Sequence, residues 1–302
     1  MPTTQSQFEN KKIAILGAGW LGGEVAKEAV DMGMEATTLT RNPETSERLA
    51  AMGVQHPVTA QIEDTSWHGQ ISPQQDFVVN CVSSAGNGLE GYRQSYILGN
   101  QSVLDWAGVS HPARFIYTGS TSVYSQTDGS TVDESSPTPD PSPAGAILLE
   151  AESLLYENSP FAYTATLRLG GLYGPGRHYL LNLLREGATE LPGRGDLLLN
   201  LLHLEDAVSA VFAVLANQDA PFGLYNATDG NPSMKSEIVN WLSNQLGRPA
   251  PTFNPDATPA RSPIRQSRGT IPNRIVSNKK LREELGWKPK YRNFKAGYER
   301  LL

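Results

Sequence analysis

The stretch KKIAILGAGWLGGEVAKEAVDMG, residues 11–33, limits the possible folds more than any other part of the chain. A short apolar run, Ile13–Leu16, leads straight into glycines. A helical pattern begins among them: Leu21, Val25, Ala29 and Met32 share one face, while Glu24, Lys27, Glu28 and Asp31 point elsewhere. Gly33 is a natural stop. The turn between strand and helix reads Gly17-Ala18-Gly19-Trp20-Leu21-Gly22. That is G-x-G-x-x-G in the strand–turn–helix context that gives the pattern meaning. Gly17 allows the tight turn, Gly19 lets a pyrophosphate approach the backbone, and Gly22 lets the helix pack closely on the strand. Phosphates then face free N–H groups and the positive end of the helix. The first expectation is therefore a bound dinucleotide.

The rest of the chain continues the alternation. Strands are expected at 35–40, 75–84, 114–120, 161–170 and 223–228, with helices at 46–53, 89–107 and 204–217 and one opening in PSPAGAILLEAESLL at 141–155. The strands are apolar throughout, as buried parallel strands are. The fold class expected is α/β, a doubly wound parallel sheet of Rossmann type with a small C-terminal substrate lobe. The Rossmann core is expected over 1–170, completed by 201–228. The lobe takes 171–200 and 229–302. Two Pro/Ser-rich stretches, 125–145 and 248–273, interrupt the pattern as long loops.

The end of the second strand bears on which dinucleotide binds. An NAD site usually places a carboxylate there for the ribose 2′-hydroxyl. This chain has Thr40-Arg41-Asn42, with no acid before Glu44. Arg41 suits a 2′-phosphate, so NADP is favoured, with NAD as the alternative. The net charge of −6 argues against a nucleic-acid partner. No apolar run is long enough to span a membrane, and MPTTQSQFENKK has no signal-peptide core. The single cysteine, Cys81, permits no intramolecular disulfide and fits a cytoplasmic location. The five histidines are scattered, so no metal site is expected. The partner expected is a small-molecule substrate, with a homodimer as the candidate assembly.

Several segments, taken in order, resemble the extended short-chain dehydrogenase/reductases, the NAD(P)-dependent epimerase/dehydratase group. These are GAGWLG, RFIYTGSTSVYS (close to that family's SS-x-x-VYG), the Asp133-Glu134…Pro137 loop, LRLGGLYGPGR, LLHLEDAVSA, YNATDG and LGWKPKY. The resemblance runs nearly end to end. It implies a Ser/Thr–Tyr–Lys active site, with the last two spaced Y-x-x-x-K. The Tyr moves the proton while hydride moves at the nicotinamide. Ser120 matches the Ser/Thr. A family Glu eight residues after the Tyr, set at Glu152, puts Ala144 at the Tyr position and Leu148 at the Lys position. No register restores the pair, because no Tyr lies between 125 and 155 and no Lys between 36 and 234. The chain thus resembles the atypical members that lack the usual active site.

Replacement acids are sought at Tyr124, Tyr173 and His178, the imidazole being the best matched to neutral pH. The catalytic candidates are Ser120, Tyr124 and His178. The cofactor-binding candidates are Gly17, Gly19, Trp20, Leu21, Gly22, Thr40, Arg41, Asn42, Cys81, Val82, Ser83 and Thr118. Arg261, Arg265, Arg268 and Arg274 lie in the lobe with which the resembled enzymes hold nucleotide-sugar phosphates. The expected function is an NADP-dependent oxidoreductase with a non-standard proton donor. The alternatives are a dinucleotide-binding sensor or scaffold without turnover and a nucleotide-sugar epimerase or dehydratase.

Overall fold

A computed structural model describes residues 7–84, 86, 88–108, 111–217, 222–257 and 271–302. The apolar run before the glycines forms β1 (Lys12–Leu16) and the amphipathic segment forms α1 (Trp20–Asp31). They are followed by β2 (Glu35–Thr40), α2 (Pro43–Ala51), β3 (His56–Thr59) and β4 (Phe77–Asn80). Next come α3 (Gly88–Tyr92), a π-helical turn over Arg93–Leu98, α4 (Gly99–Ala107), β5 (His111–Ser120) and α5 (Pro143–Asn158). With Phe161–Leu169 and Phe222–Ala227 the strands make one seven-stranded sheet. Its order is Phe222–Ala227, Phe161–Leu169, β5, β4, β1, β2, β3. The ladders β1–β2, β1–β4, β2–β3 and β4–β5 are all parallel. The order reverses direction between β1 and β4, which makes the carboxyl ends of those strands the ligand-binding edge of such a sheet.

Three differences from the expected elements have local causes. Strand β3 went unread because HPVT is short, sits at the sheet edge and carries a proline, which donates nothing to a ladder. The strand expected over 75–84 stops at Asn80, whose Oδ1 accepts the Val82 N–H at 3.0 Å and draws the chain out of the ladder. The single helix expected over 89–107 is broken by the π-helical turn, a local widening that a 3.6-residue pattern cannot reveal.

The chain divides into two compact units. The first holds Met1–Gly119, Ala146–Arg168 and Val208–Tyr225; the second holds Ser120–Gly145, Leu169–Ala207 and Asn226–Leu302. Of the core expected over 1–170 and 201–228, residues 120–145, 169–170, 201–207 and 226–228 fall in the second unit. The core of the first unit includes Leu16, Leu39, Trp67, Val78, Trp106 and Phe115, with Phe161 stacked on Phe115 at 4.7 Å. The second unit packs Leu180, Leu184, Leu191, Ile238, Leu242 and Phe294 around Tyr173 and Tyr298. Short two-stranded pairs complete it, among them Leu201–His203 with Gly171–Tyr173 and Ile275–Val276 with Thr131–Val132. Among the described residues no helix is long and apolar enough to cross a membrane, and no His/Cys/Asp/Glu cluster would hold a metal.

Candidate functional site

The glycine turn belongs to the first unit, and its three glycines differ in what surrounds them. Gly17 has φ +82°, and a Cβ there would lie 2.6 Å from the Val82 nitrogen. Gly22 lies under the turn, where a Cβ would come 2.5 Å from the Gly17 carbonyl oxygen. Gly19 is the exception: a Cβ there would meet nothing within 4 Å. The turn is therefore closed beneath and open above Gly19. No side chain caps α1, and its first turn carries no acid. An uncapped twelve-residue helix behind an open glycine suits an anion, because the helix N-terminus offers backbone donors and a positive dipole. These residues fit the pyrophosphate of a dinucleotide.

Beside the turn, Thr40 is buried and its Oγ1 accepts the Asn42 N–H. Asn42 Oδ1 in turn accepts the Thr45 N–H and caps α2. Arg41 lies between them, exposed. Further along, Arg48 lies in the last turn of α2. Its Nη2 is 3.6 Å from where a Cβ on Gly23 would be, so a second guanidinium stands at α1.

At the end of β4, Cys81 is buried, its N–H donating to Leu16 O at 2.7 Å. Burial pushes its thiol up to about 12, partly opposed by a hydrogen bond with Thr118. The thiol is thus protonated at neutral pH and serves as packing. Val82 is shaped from below by a polar ladder the sequence did not disclose. Asn80 Nδ2 donates to Asn100 Oδ1 at 2.7 Å, Asn100 Nδ2 donates to Tyr96 O, and Thr118 Oγ1 donates to Asn80 O. Ser83 is exposed, and the Ser84 N–H donates to the Tyr96 hydroxyl. Trp20 is half-buried and Leu21 is 7 % exposed.

Helix α5 carries Ala144 and Leu148, 2 % and 3 % exposed. One turn beyond Leu148, Glu152 accepts Arg168 Nε at 2.9 Å and Nη2 at 2.6 Å, both side chains being 6 % exposed. Tyr117, on β5, is fully buried; burial, then the neighbouring tyrosines and Glu152, hold its hydroxyl well above its ordinary range.

In the second unit Ser120 Oγ donates to Ser122 Oγ at 2.9 Å and accepts the Ser122 N–H. Tyr124 is fully buried, and its hydroxyl donates to Asn226 Oδ1 at 3.0 Å, the geometry of a packed ring rather than of a proton donor to a substrate. Tyr173 is also buried, its hydroxyl raised far above the usual range by burial and by Asp229. His178 precedes the helix Tyr179–Arg185 without capping it and remains half-buried. The His203 ring packs at a tilt against Tyr291, centroids 4.0 Å apart. Arg274 Nη2 donates to Thr121 O at 2.8 Å, and burial lowers its guanidinium to about 10. Arg261, Arg265 and Arg268 lie outside the described residues.

Known proteins resemble this chain in sequence or in fold. Protein YeeZ from Escherichia coli K12 is 28% identical over 288 residues, covering 93% of this chain and 96% of its own. A 3-diazoavenalumate denitrifying reductase from Streptomyces is 30% identical over 189 residues, 56% of this chain and 58% of its own. MoeE5, solved in complex with UDP-glucuronic acid and NAD, superposes with a TM-score of 0.79 at 21% identity, covering 96% of this chain and all of that one. The model of the NAD dependent epimerase/dehydratase family matches residues 13–227, the whole run from β1 to the last strand of the sheet. The chain belongs to that NAD dependent epimerase/dehydratase family.

Proposed function

We propose that the protein is a cytoplasmic NADP(H)-dependent reductase that works without the family's tyrosine–lysine pair. The observation that carries this reading is the pairing of an open cradle at Gly19 with a β2 end that offers Arg41 and no carboxylate. A 2′-phosphate is repelled by an acid at that place and is paired by a guanidinium. Arg48, reaching α1, adds a second positive charge on the same helix pair. Bound there, the dinucleotide supplies the hydride. The chain's own residues hold its phosphates at Gly19, shape the β4 end through Asn80 and Asn100, and keep the α5 side apolar at Ala144 and Leu148. That one relative carries the name of a reductase supports hydride transfer over sugar epimerisation. Epimerisation and dehydration also need a base beside the hydride acceptor, and α5 has Ala144 and Leu148 at the positions that the resemblance gives to the Tyr and Lys.

Two measurements test this reading. NADPH should bind more tightly than NADH, and Arg41→Asp should shift the ratio toward NADH by about tenfold or more, the scale of one charge-assisted contact. Unchanged affinities for both would make Arg41 a bystander. Tight NADPH binding with no oxidation by any acceptor would favour the sensor instead.

A further inference from the structure

The second unit holds a cation that no anion meets. Arg274 is half-buried, and its Nη2 donates to Thr121 O at 2.8 Å. Its Nε is buried and has no acceptor. Burial lowers the guanidinium and Tyr124 works the other way; among the described residues no carboxylate acts on it. Glu134 is engaged elsewhere: one of its oxygens accepts the Asn226 N–H at 2.6 Å, and Lys280 is the cation that acts on it. Residues 258–270 contain no Asp or Glu. A guanidinium removed from water loses hydration, and one backbone carbonyl repays that only in part. Asn226 adds a second unmatched donor. It is fully buried, its Oδ1 accepts the Tyr124 hydroxyl at 3.0 Å, and its Nδ2 has no acceptor. Tyr124 is thus the common neighbour of the two orphaned donors. Thr121, Tyr124, Asn226 and Arg274 all belong to the second unit.

We propose that Arg274 anchors a carboxylate-binding site in the second unit, and that its ligand is a small organic acid. The edge of the guanidinium that is free favours this ligand. Arg168 gives its Nε and Nη2 to the two oxygens of Glu152, and Arg194 gives the same pair to those of Asp196. On Arg274 that edge has an idle Nε, and Nη2 carries two hydrogens of which Thr121 O takes one. A carboxylate matches such a fork bidentately. A water could accept from Nε but would leave the charge unmatched; an anion does both. One guanidinium suits one negative charge. A nucleoside diphosphate carries more charge than that, and no second cation acts on Arg274 among the described residues. The site goes beyond the dinucleotide reading and does not rest on it, since the cradle at Gly19 belongs to the first unit.

The test follows the Arg274 Nε–H signal by proton–nitrogen NMR in the full-length protein, the signal being assigned by its loss in Arg274→Gln. Arg274→Lys keeps the cation, removes the same signal and serves for the assignment where the glutamine variant fails to fold. The probes are acetate, benzoate, benzamide and UDP. Acetate and benzoate should move the signal saturably. Benzoate should bind the natural protein at least about tenfold more tightly than either variant, the scale of one charge-assisted fork. Benzamide has nearly the same shape without the charge and should leave the signal in place. A signal that benzamide moves as far as benzoate does, or that only UDP moves, would overturn the proposal. So would a signal that neither carboxylate moves, or equal benzoate affinity in the natural protein and Arg274→Lys. NADPH affinity, measured on the same sample, bears on the dinucleotide reading alone.

Discussion

Gly19 and Gly22 are three residues apart in one turn and respond oppositely to a side chain. Gly19→Val places its Cβ in open space, so the fold should keep its stability while NADPH affinity falls by about tenfold or more, the expected result of filling a phosphate cradle. Gly22→Ala drives a methyl to 2.5 Å from the Gly17 carbonyl oxygen, so α1 must shift. That overpacking should cost about 1–3 kcal/mol in urea unfolding. An equal loss of stability in both variants would mean that Gly19 is packed and not open. At this scale the site was partly legible. The G-x-G-x-x-G spacing announced the turn, because glycine is demanded by backbone distances that sequence records directly. Asn80, Asn100 and Arg48 were not legible, since their roles depend on which strand ends and helix faces meet in space.

Helix α5 is the element where the resemblance implies a Tyr and a Lys and the sequence has Ala144 and Leu148. Its mid-section buries Leu148, Ala151 and Leu155, and into that apolar face it sets Glu152 against Arg168. A buried ion pair is worth little compared with a well-packed apolar pair, but breaking it leaves one charge stranded. Glu152→Gln should therefore destabilise the protein by about 3–5 kcal/mol, while Glu152→Met combined with Arg168→Met should recover much of that loss in the same unfolding measurement. Additive losses would show that the two side chains act independently. The identity of α5 could be read from PSPAGAILLEAE because helix starts and apolar spacing are local signals. The π-helical turn before α4 could not, because the widening comes from packing and not from composition. Gly99 is one trace of that packing: a Cβ there would sit 2.7 Å from Ile62 Cγ2.

For the whole molecule, the alternation of strands and helices was enough to expect a doubly wound sheet, yet not the interleaving of its two units. The chain leaves the first unit after Gly119, returns at Ala146 and leaves again after Arg168; the Pro/Ser-rich stretch 125–145 ends at the return, but no change of composition marks the other two crossings. The second unit also holds a pH-dependent feature that only its packing creates. Asp229 Oδ2 is buried without a partner, and burial, reinforced by the charge of Asp206, raises the carboxyl to about 7. The native state keeps that proton between about pH 4 and about pH 7, where the unfolded chain has lost it. Asp229 therefore erodes stability as pH rises through that window and has no further effect above it. The difference in unfolding free energy between Asp229→Asn and the natural protein should climb in favour of the variant by about 2–4 kcal/mol across the window, then level off. A difference that stays constant from about pH 4 to about pH 8 would place Asp229 at its ordinary titration.

The central claim is that the first unit presents a dinucleotide cradle although α5 has lost the residues that move protons. Calorimetric titration of NADPH into the natural protein and into Gly19→Val tests it most directly. The prediction is one NADPH per chain for the natural protein and a binding signal weakened by about tenfold or more in the variant at equal thermal stability. No heat from the natural protein with either NADPH or NADH, or the same affinity in both proteins, would contradict it.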